Sequence, residues 1–386
     1  MNRNKRILVV SHAATRNGAT ILLLDLLRWL KRETRYQFDI VVNGSGELID
    51  DFRAVGRTTV WRNPDRVFAM FPRSSARQKC ESYLLQSLLL GRTYDLVYLN
   101  TSSVASHAPV LSRKAPRILW HIHEMTYALR NTLGANADRL LPLASRFVAV
   151  SSAARDALVE NFGISDQKID IAHGFVSLPP ESLELAQSTR KSKHAGFGWP
   201  EDVFAVGGCG ALGWRKGTDI FLQIAHEMTS SVSSDNLRFL WVGGGSRDEI
   251  LRFEHDVRCL GLQEVCKHVP ATAEVFDYYH AMDVFALTSR EDPFPLVMLE
   301  AAGCGLPVVC FANSGGGEEF VGTDSGCVVP YLNISGFAKC LSQLRDDLQT
   351  RHKLGNAGKQ KVRTQFTAEV QGPRILATIE RCLSID

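Results

Sequence analysis

Along this chain, short apolar runs alternate with polar turns and helix-length segments. Arg6–Val10 (RILVV) reads as a strand, SHAATRNGAT as a turn, and Ala19–Arg32 as a helix. The helix is polar only at Asp25, Arg28 and Arg32, so most of its surface is apolar, as expected of a helix that covers a sheet. Strand-like runs recur at Phe38–Val42, Leu96–Leu99, Ile118–His121, Phe147–Val150 and Ile169–Ala172, with helical segments such as Ala137–Leu143 and Ser152–Phe162 between most of them. Buried strands alternating with helices predict an α/β fold with a parallel, doubly wound sheet.

The pattern then breaks. Ser177–Asp202 (SLPPESLELAQSTRKSKHAGFGWPED) is polar and rich in Pro, Ser and Lys, and reads as a linker. Beyond it the alternation restarts. Ala205–Gly208, Arg238–Val242, Val284–Leu287 and Val308–Phe311 read as strands, and Thr218–Thr229, Arg247–Arg258, Glu274–His280, Ser335–Arg351 and Ala368–Leu383 as helices. Two α/β halves with a cleft between them are therefore expected, and a length of 386 residues agrees with two domains. The predicted boundaries are 1–176 for the first domain, 177–202 for the linker and 203–367 for the second. A C-terminal helix, 368–386, could pack back on the first domain.

Composition narrows the class. Apolar and charged fractions of 45% and 22% are those of a globular chain, and a net charge of +3 is too small to imply nucleic acid. The charge is uneven, with seven bases against two acids in residues 51–80. That segment is either a solvated arginine-rich face or, with Phe68, Met70 and Phe71, a surface for acidic lipid or a lipid-linked substrate. Nine cysteines with no C-x-x-C pair suggest neither a disulfide framework nor a zinc site, and a reducing cytosol fits. The amino terminus has too short an apolar run for a signal peptide, and nothing approaches a membrane span. A cytoplasmic protein is expected, with peripheral contact at the inner membrane face as one option.

The stretch Thr288–Val309 (TSREDPFPLVMLEAAGCGLPVV) concentrates the candidate chemistry. Pro293 and Pro295 delay the helix, which leaves Asp292 at a strand's carboxyl end and puts Glu300 inside the helix. That edge of a parallel sheet is where ligands bind, and a helix N-terminus there favours an anion. Gly208–Asp219 (GCGALGWRKGTD) places Arg215 and Lys216 in a Gly-rich turn before a helix, although it lacks a P-loop or a G-x-G-x-x-G pattern. Asn313–Glu319 (NSGGGEE) offers three glycines that can present amides to a phosphate, or a flexible loop. In the first half, Gly18 either caps a helix or admits a diphosphate. His121 and His123 would share one strand face, but no third metal ligand has a recognisable spacing. One of the pair is expected to meet substrate at the strand's end while the other is packed, and His173-Gly174 repeats the strand-end pattern.

In combination these motifs resemble the retaining glycosyltransferases of family four over nearly the whole chain. The matching runs are Gly18, HIHE (His123), VAVSSAARDALVENFGI with IAHGF, RKGTD, VGGG, the acidic-x7-acidic stretch ending at Glu300, and SGGGEEFV. Two positions depart from the family pattern. Asp292 stands where glutamate is usual, with Glu291 beside it, and Ala211 replaces an arginine. The resemblance implies a GT-B fold, with two Rossmann-like domains whose parallel sheets face a central cleft. It also implies transfer of a sugar from a nucleoside-diphosphate donor, such as a UDP- or GDP-sugar, with retention and without a metal or other cofactor.

The partners implied are a nucleotide-sugar donor and a glycan, lipid-linked or other hydroxyl acceptor, as in cell-surface polysaccharide synthesis. His123, Asp292, Glu300 and Lys216 would be catalytic. The donor would be held by Gly18, Arg215, Lys216, Phe294, Pro295, Leu296, Glu300, Gly315, Gly316, Gly317 and Glu319. Glu300 would bind ribose, and Asp292 with the amides near Phe294–Leu296 would bind the donor sugar. The alternatives are a GT-B nucleotide-sugar epimerase and a non-catalytic nucleotide-sugar or glycan-binding subunit.

Overall fold

A computed structural model describes residues 4–61, 85–180, 182–231 and 236–385. Two compact units divide the chain: Met1–Gly174 with Ala368–Asp386, and Phe175–Thr367.

Among the described residues the first unit has seven parallel strands, β1 (Arg6–Ser11), β2 (Gln37–Val42), β3 (Arg57–Val60), β4 (Leu96–Asn100), β5 (Ile118–Ile122), β6 (Arg146–Ala149) and β7 (Ile169–Ile171). Their order is β3-β2-β1-β4-β5-β6-β7, so successive connections turn round between β1 and β4. The helix Gly18–Glu33 covers the sheet with Leu22, Leu23, Leu24, Leu26, Leu27, Trp29 and Leu30 buried. Against it packs the C-terminal helix Ala368–Leu383. Gly372 makes that contact close, since a Cβ there would stand 2.6 Å from the Trp29 ring.

The second unit has six parallel strands, β8 (Phe204–Cys209), β9 (Leu237–Val242), β10 (Cys266–Val269), β11 (Val284–Leu287), β12 (Val308–Phe311) and β13 (Gly326–Val329). The order β10-β9-β8-β11-β12-β13 reverses between β8 and β11. Both sheets are thus doubly wound, and each has a switch point at its carboxyl edge, where a crevice opens because neighbouring connections leave in opposite directions.

Several elements differ from the pattern-based expectation. The edge strands β3 (RTTV), β10 (CKHV) and β13 (GCVV) are half-exposed over most of their length, and the first two carry polar residues that leave no apolar run to announce them. The stretch expected as a linker contains a 15-residue helix, Leu183–Phe197, in the second unit. It buries only His194 and is fixed by polar contacts. The Arg190 guanidinium reaches Asp283, Met282 O and Val203 O at 2.9–3.2 Å, and His194 Nε2 bonds Ala281 O at 2.9 Å. The expected helix Ser335–Arg351 is two, Ile334–Asp346 and Leu348–Gln365. Asp347 separates them by capping the second through Thr350 N at 2.9 Å. Among the described residues no helix is long and apolar enough to cross a membrane. Most of the basic segment, including Arg62, Arg66, Arg73, Arg77, Lys79 and its apolar residues, lies outside the described residues.

Candidate active site

In the second unit the loops after β8 and β11 meet at the switch point. Gly217 sits where that meeting is tightest, with φ 66°, and a Cβ there would stand 2.1 Å from Thr288 O. Thr288 Oγ1 donates to Lys216 O and Gly217 O at 3.1 and 3.0 Å, which locks one loop to the other. Arg290 adds a two-pronged bond to Asp219, at 2.8 and 2.7 Å.

Into this crossing point the chain puts Asp292, 6% exposed. Its carboxylate accepts from Lys216 Nζ at 2.5 Å, Ser289 Oγ at 3.1 Å and Arg215 Nη1 at 3.4 Å. Burial alone would push the carboxyl up, but Lys216 and Arg215 outweigh it and hold its pKa below the usual value. Asp292 is therefore an anion, and its first partner is Lys216 rather than a free space for sugar hydroxyls. The Arg215 guanidinium also donates to Glu291 O at 2.9 Å.

Glu300 lies one turn before the end of the helix Leu296–Gly303. Tyr279, fully buried, donates its hydroxyl to Glu300 Oε2 at 2.8 Å. Burial raises the Glu300 pKa, with the Tyr279 hydrogen bond and the Lys216 charge offsetting only part of the rise. Burial also pushes the neighbouring Cys209 thiol up to about 12, so it is an un-ionised wall of the site. Lys216 acts on both Asp292 and Glu300. No side chain caps the helix at Pro295, and with the Met298 amide bonded to Pro295 O at 3.2 Å, the Leu296 and Val297 amides are left at the same sheet edge as the lysine.

The remaining positions fall into two groups. Pro295 and Leu296 begin that helix, whereas Phe294 is buried and packs its ring on Phe366 with centroids 5.4 Å apart. Gly315, with φ 129°, precedes the helix Gly316–Val321, so two of the three glycines lie inside its first turn rather than before it. The Gly316 amide is already taken, by Asp292 O at 3.1 Å and Pro293 O at 2.9 Å. Glu319 is exposed on that helix, and Ala211 is exposed in the β8 loop without a charge.

In the first unit Gly18 is the first residue of its helix and is exposed, while Asn17 caps the helix through Thr20 N at 3.1 Å. His121 is fully buried against Tyr98, whose hydroxyl is 2.6 Å from His121 Nδ1. His123 follows the end of β5, half-buried, with its ring centroid 4.1 Å from that of His121. Burial, and then the charges His121 and His12 would carry, keep its pKa well below 6.5. The His173 amide bonds Gln371 of the C-terminal helix at 3.0 Å. Pattern reasoning missed Tyr279, which falls in the expected helix Glu274–His280, and Ser289, which falls within the stretch Thr288–Val309.

Two doubly wound units, the second with a lysine, two acids and an uncapped helix at its switch point, define an α/β protein with a candidate anion site at a carboxyl sheet edge. Residues 16–178 match the model of Glycosyltransferase Family 4, and residues 202–347 that of Glycosyl transferases group 1. The chain belongs to the family-four glycosyltransferases of this group-1 type. Its fold is GT-B, like that of the Anabaena protein HepE in complex with UDP and glucose. That structure is 18% identical with a TM-score of 0.80, over 98% of this chain and 100% of the other. A sucrose-phosphate synthase from Thermosynechococcus elongatus is 17% identical with a TM-score of 0.74, over 98% and 99%. Among curated proteins, the D-inositol 3-phosphate glycosyltransferase of Paenarthrobacter aurescens is 29% identical over 221 residues. That match covers 56% of this chain and 53% of the relative, so the chain spans about half the length of the curated relatives it matches.

Proposed function

We propose that this chain transfers a sugar from a nucleoside-diphosphate sugar to a hydroxyl acceptor, with retention of anomeric configuration and without a bound metal. The observation that carries the reading is the placement of Lys216 between Asp292 and Glu300 beside the uncapped first turn at Leu296. As the bond from the sugar to the diphosphate breaks, negative charge grows on the leaving group. Lys216, Arg215 and the first-turn amides meet that charge electrostatically. Glu300, oriented by Tyr279, accepts from the ribose hydroxyls. Asp292 holds Lys216 and Arg215 in place, and shares Lys216 with the diphosphate once donor binds. His123 meets the transferring sugar. HepE structures hold UDP and UDP-glucose, which supports a UDP-sugar as the first donor to try.

Glu300→Gln keeps the shape of the side chain and removes its charge. It is expected to abolish turnover and to weaken UDP binding, measured by donor consumption and by thermal shift with UDP. Full activity in that variant would remove the assignment of the site. Turnover is also expected to persist in excess EDTA, and loss restored by magnesium would refute the metal-free reading.

A further inference from the structure

At the switch point of the first unit, between β1 and β4, a second polar network surrounds His123. Asn100 closes β4 and is fully buried. Its Nδ2 donates to Ala19 O, in the first turn of the helix Gly18–Glu33, at 3.1 Å. Its Oδ1 lies 2.9 Å from His123 Nε2. A backbone carbonyl can only accept, so the amide nitrogen must face Ala19 and the amide oxygen must face the histidine. That oxygen also can only accept, so the proton has to be on Nε2.

We infer that Asn100 is a positioning residue that fixes His123 as the Nε2–H tautomer, leaving Nδ1 as an acceptor for a hydroxyl of the sugar. The inference rests on the glycosyl-transfer reading for the identity of that hydroxyl.

The surroundings keep the ring neutral. Facing it are the His121 ring from β5 and His12 from the turn after β1, and a charge on either would oppose a charge on His123. Tyr98 from β4 is a buried phenol that burial keeps protonated and therefore uncharged, with its hydroxyl 2.6 Å from His121 Nδ1. The Glu124 carboxylate accepts from the backbone amides of His123 at 2.9 Å and Ser102 at 2.8 Å. Among the described residues no hydrogen bond reaches His123 Nδ1, whereas Nε2 is committed to Asn100. A neutral imidazole with a free lone pair attracts O–H donors and repels phosphate oxygens, which only accept. His123 is thereby suited to a sugar hydroxyl rather than to a phosphate oxygen.

The test begins with the full-length chain labelled with 15N-histidine, without ligand. Long-range proton–nitrogen correlation spectra report which ring nitrogen carries hydrogen, and His123→Gln identifies the His123 signals. The expected pattern is Nε2–H with a lone-pair Nδ1, unchanged from about pH 8 to about pH 5.5, below the usual imidazole midpoint. An Nδ1–H pattern, or a titration near the ordinary histidine value, overturns the inference.

Two variants extend the test. Asn100→Ala is expected to give mixed tautomers, to keep the thermal shift with UDP, and to lower kcat with UDP-glucose about tenfold, as losing one hydrogen bond would. Asn100→Asp places a carboxylate beside Nε2, and is expected to draw a second proton onto the ring and move the acid limb of the pH profile upward. Retention of the single tautomer in Asn100→Ala refutes the positioning role. Should either variant fail to fold, the wild-type spectrum still decides. Failure of UDP and UDP-glucose to bind the wild-type chain would instead remove the glycosyl-transfer reading, which the spectrum does not depend on.

Discussion

Changing Asp292 to Asn removes one charge and almost no volume, which makes it the sharpest probe of the second unit. The carboxylate is 6% exposed and the Lys216 side chain 13% exposed, so neither charge is well hydrated. Breaking such a pair leaves a buried ammonium with only the Glu300 carboxyl group to offset it, at a cost of about 3 kcal/mol. Arg215 is 42% exposed along its side chain and loses less, because solvent already screens it. For a unit of this size the loss corresponds to a fall in Tm of roughly 6–12 °C. Lys216→Met should cost less, about 2 kcal/mol, because Ser289 and Arg215 still serve the carboxylate. The double variant should then be less destabilised than the sum of the singles, with a coupling of about 1–3 kcal/mol. Urea unfolding of the four proteins, followed by tryptophan fluorescence and circular dichroism, measures this directly.

The sign with pH is fixed as well. The folded carboxyl titrates below its unfolded value, so the pair contributes fully above the unfolded pKa of about 4 and is lost as pH falls through the folded one. A coupling indistinguishable from zero near pH 7 would refute the view that Asp292 holds the lysine.

Three further outcomes follow from the same geometry. Tyr279→Phe removes the donor to Glu300, and should cost about 1 kcal/mol in urea unfolding and weaken UDP binding several-fold by calorimetry. Because the Glu300 pKa is raised on folding, that group's contribution runs opposite to Asp292. It favours the fold at low pH and loses ground as pH rises through the unfolded and then the folded value. Gly217→Ala forces a side chain into a left-handed conformation against Thr288 O, and is expected to lower Tm and donor turnover together.

The two sheets were legible because their central strands are continuous apolar runs, and the helix Gly18–Glu33 because it is apolar on most faces. What escaped the pattern was held by contacts that only the fold supplies. The helix Leu183–Phe197 buries one histidine and grips its unit with Arg190 and His194, so composition alone makes it look like a linker. The edge strands β3 and β10 are equally quiet, having one neighbour, a half-exposed face and polar residues within them. In the site, spacing placed Lys216, Asp292 and Glu300 at one edge but could not show who partners whom. Asp292 spends its charge on Lys216 and Arg215, and the Gly316 amide is spent on two carbonyls. Tyr279 could not be distinguished from core before the Glu300 oxygen was seen beside its hydroxyl.

The chain enters the second unit at Phe175 and leaves it at Thr367. Next to these points, Val176 N donates to Phe366 O at 3.1 Å, so the unit begins and ends at one spot. In sequence terms the second unit is a cassette inserted into the first, and the first is closed only by the segment that follows the cassette. Truncation after residue 367 is therefore not the loss of a tail. It strips the cover from Trp29 and the Gln371 contact from His173, in a unit whose other residues end at Gly174, before the whole of the cassette. Residues 175–367, by contrast, form an uninterrupted piece with adjoining ends, the natural fragment in which to separate nucleotide binding from everything the first unit adds.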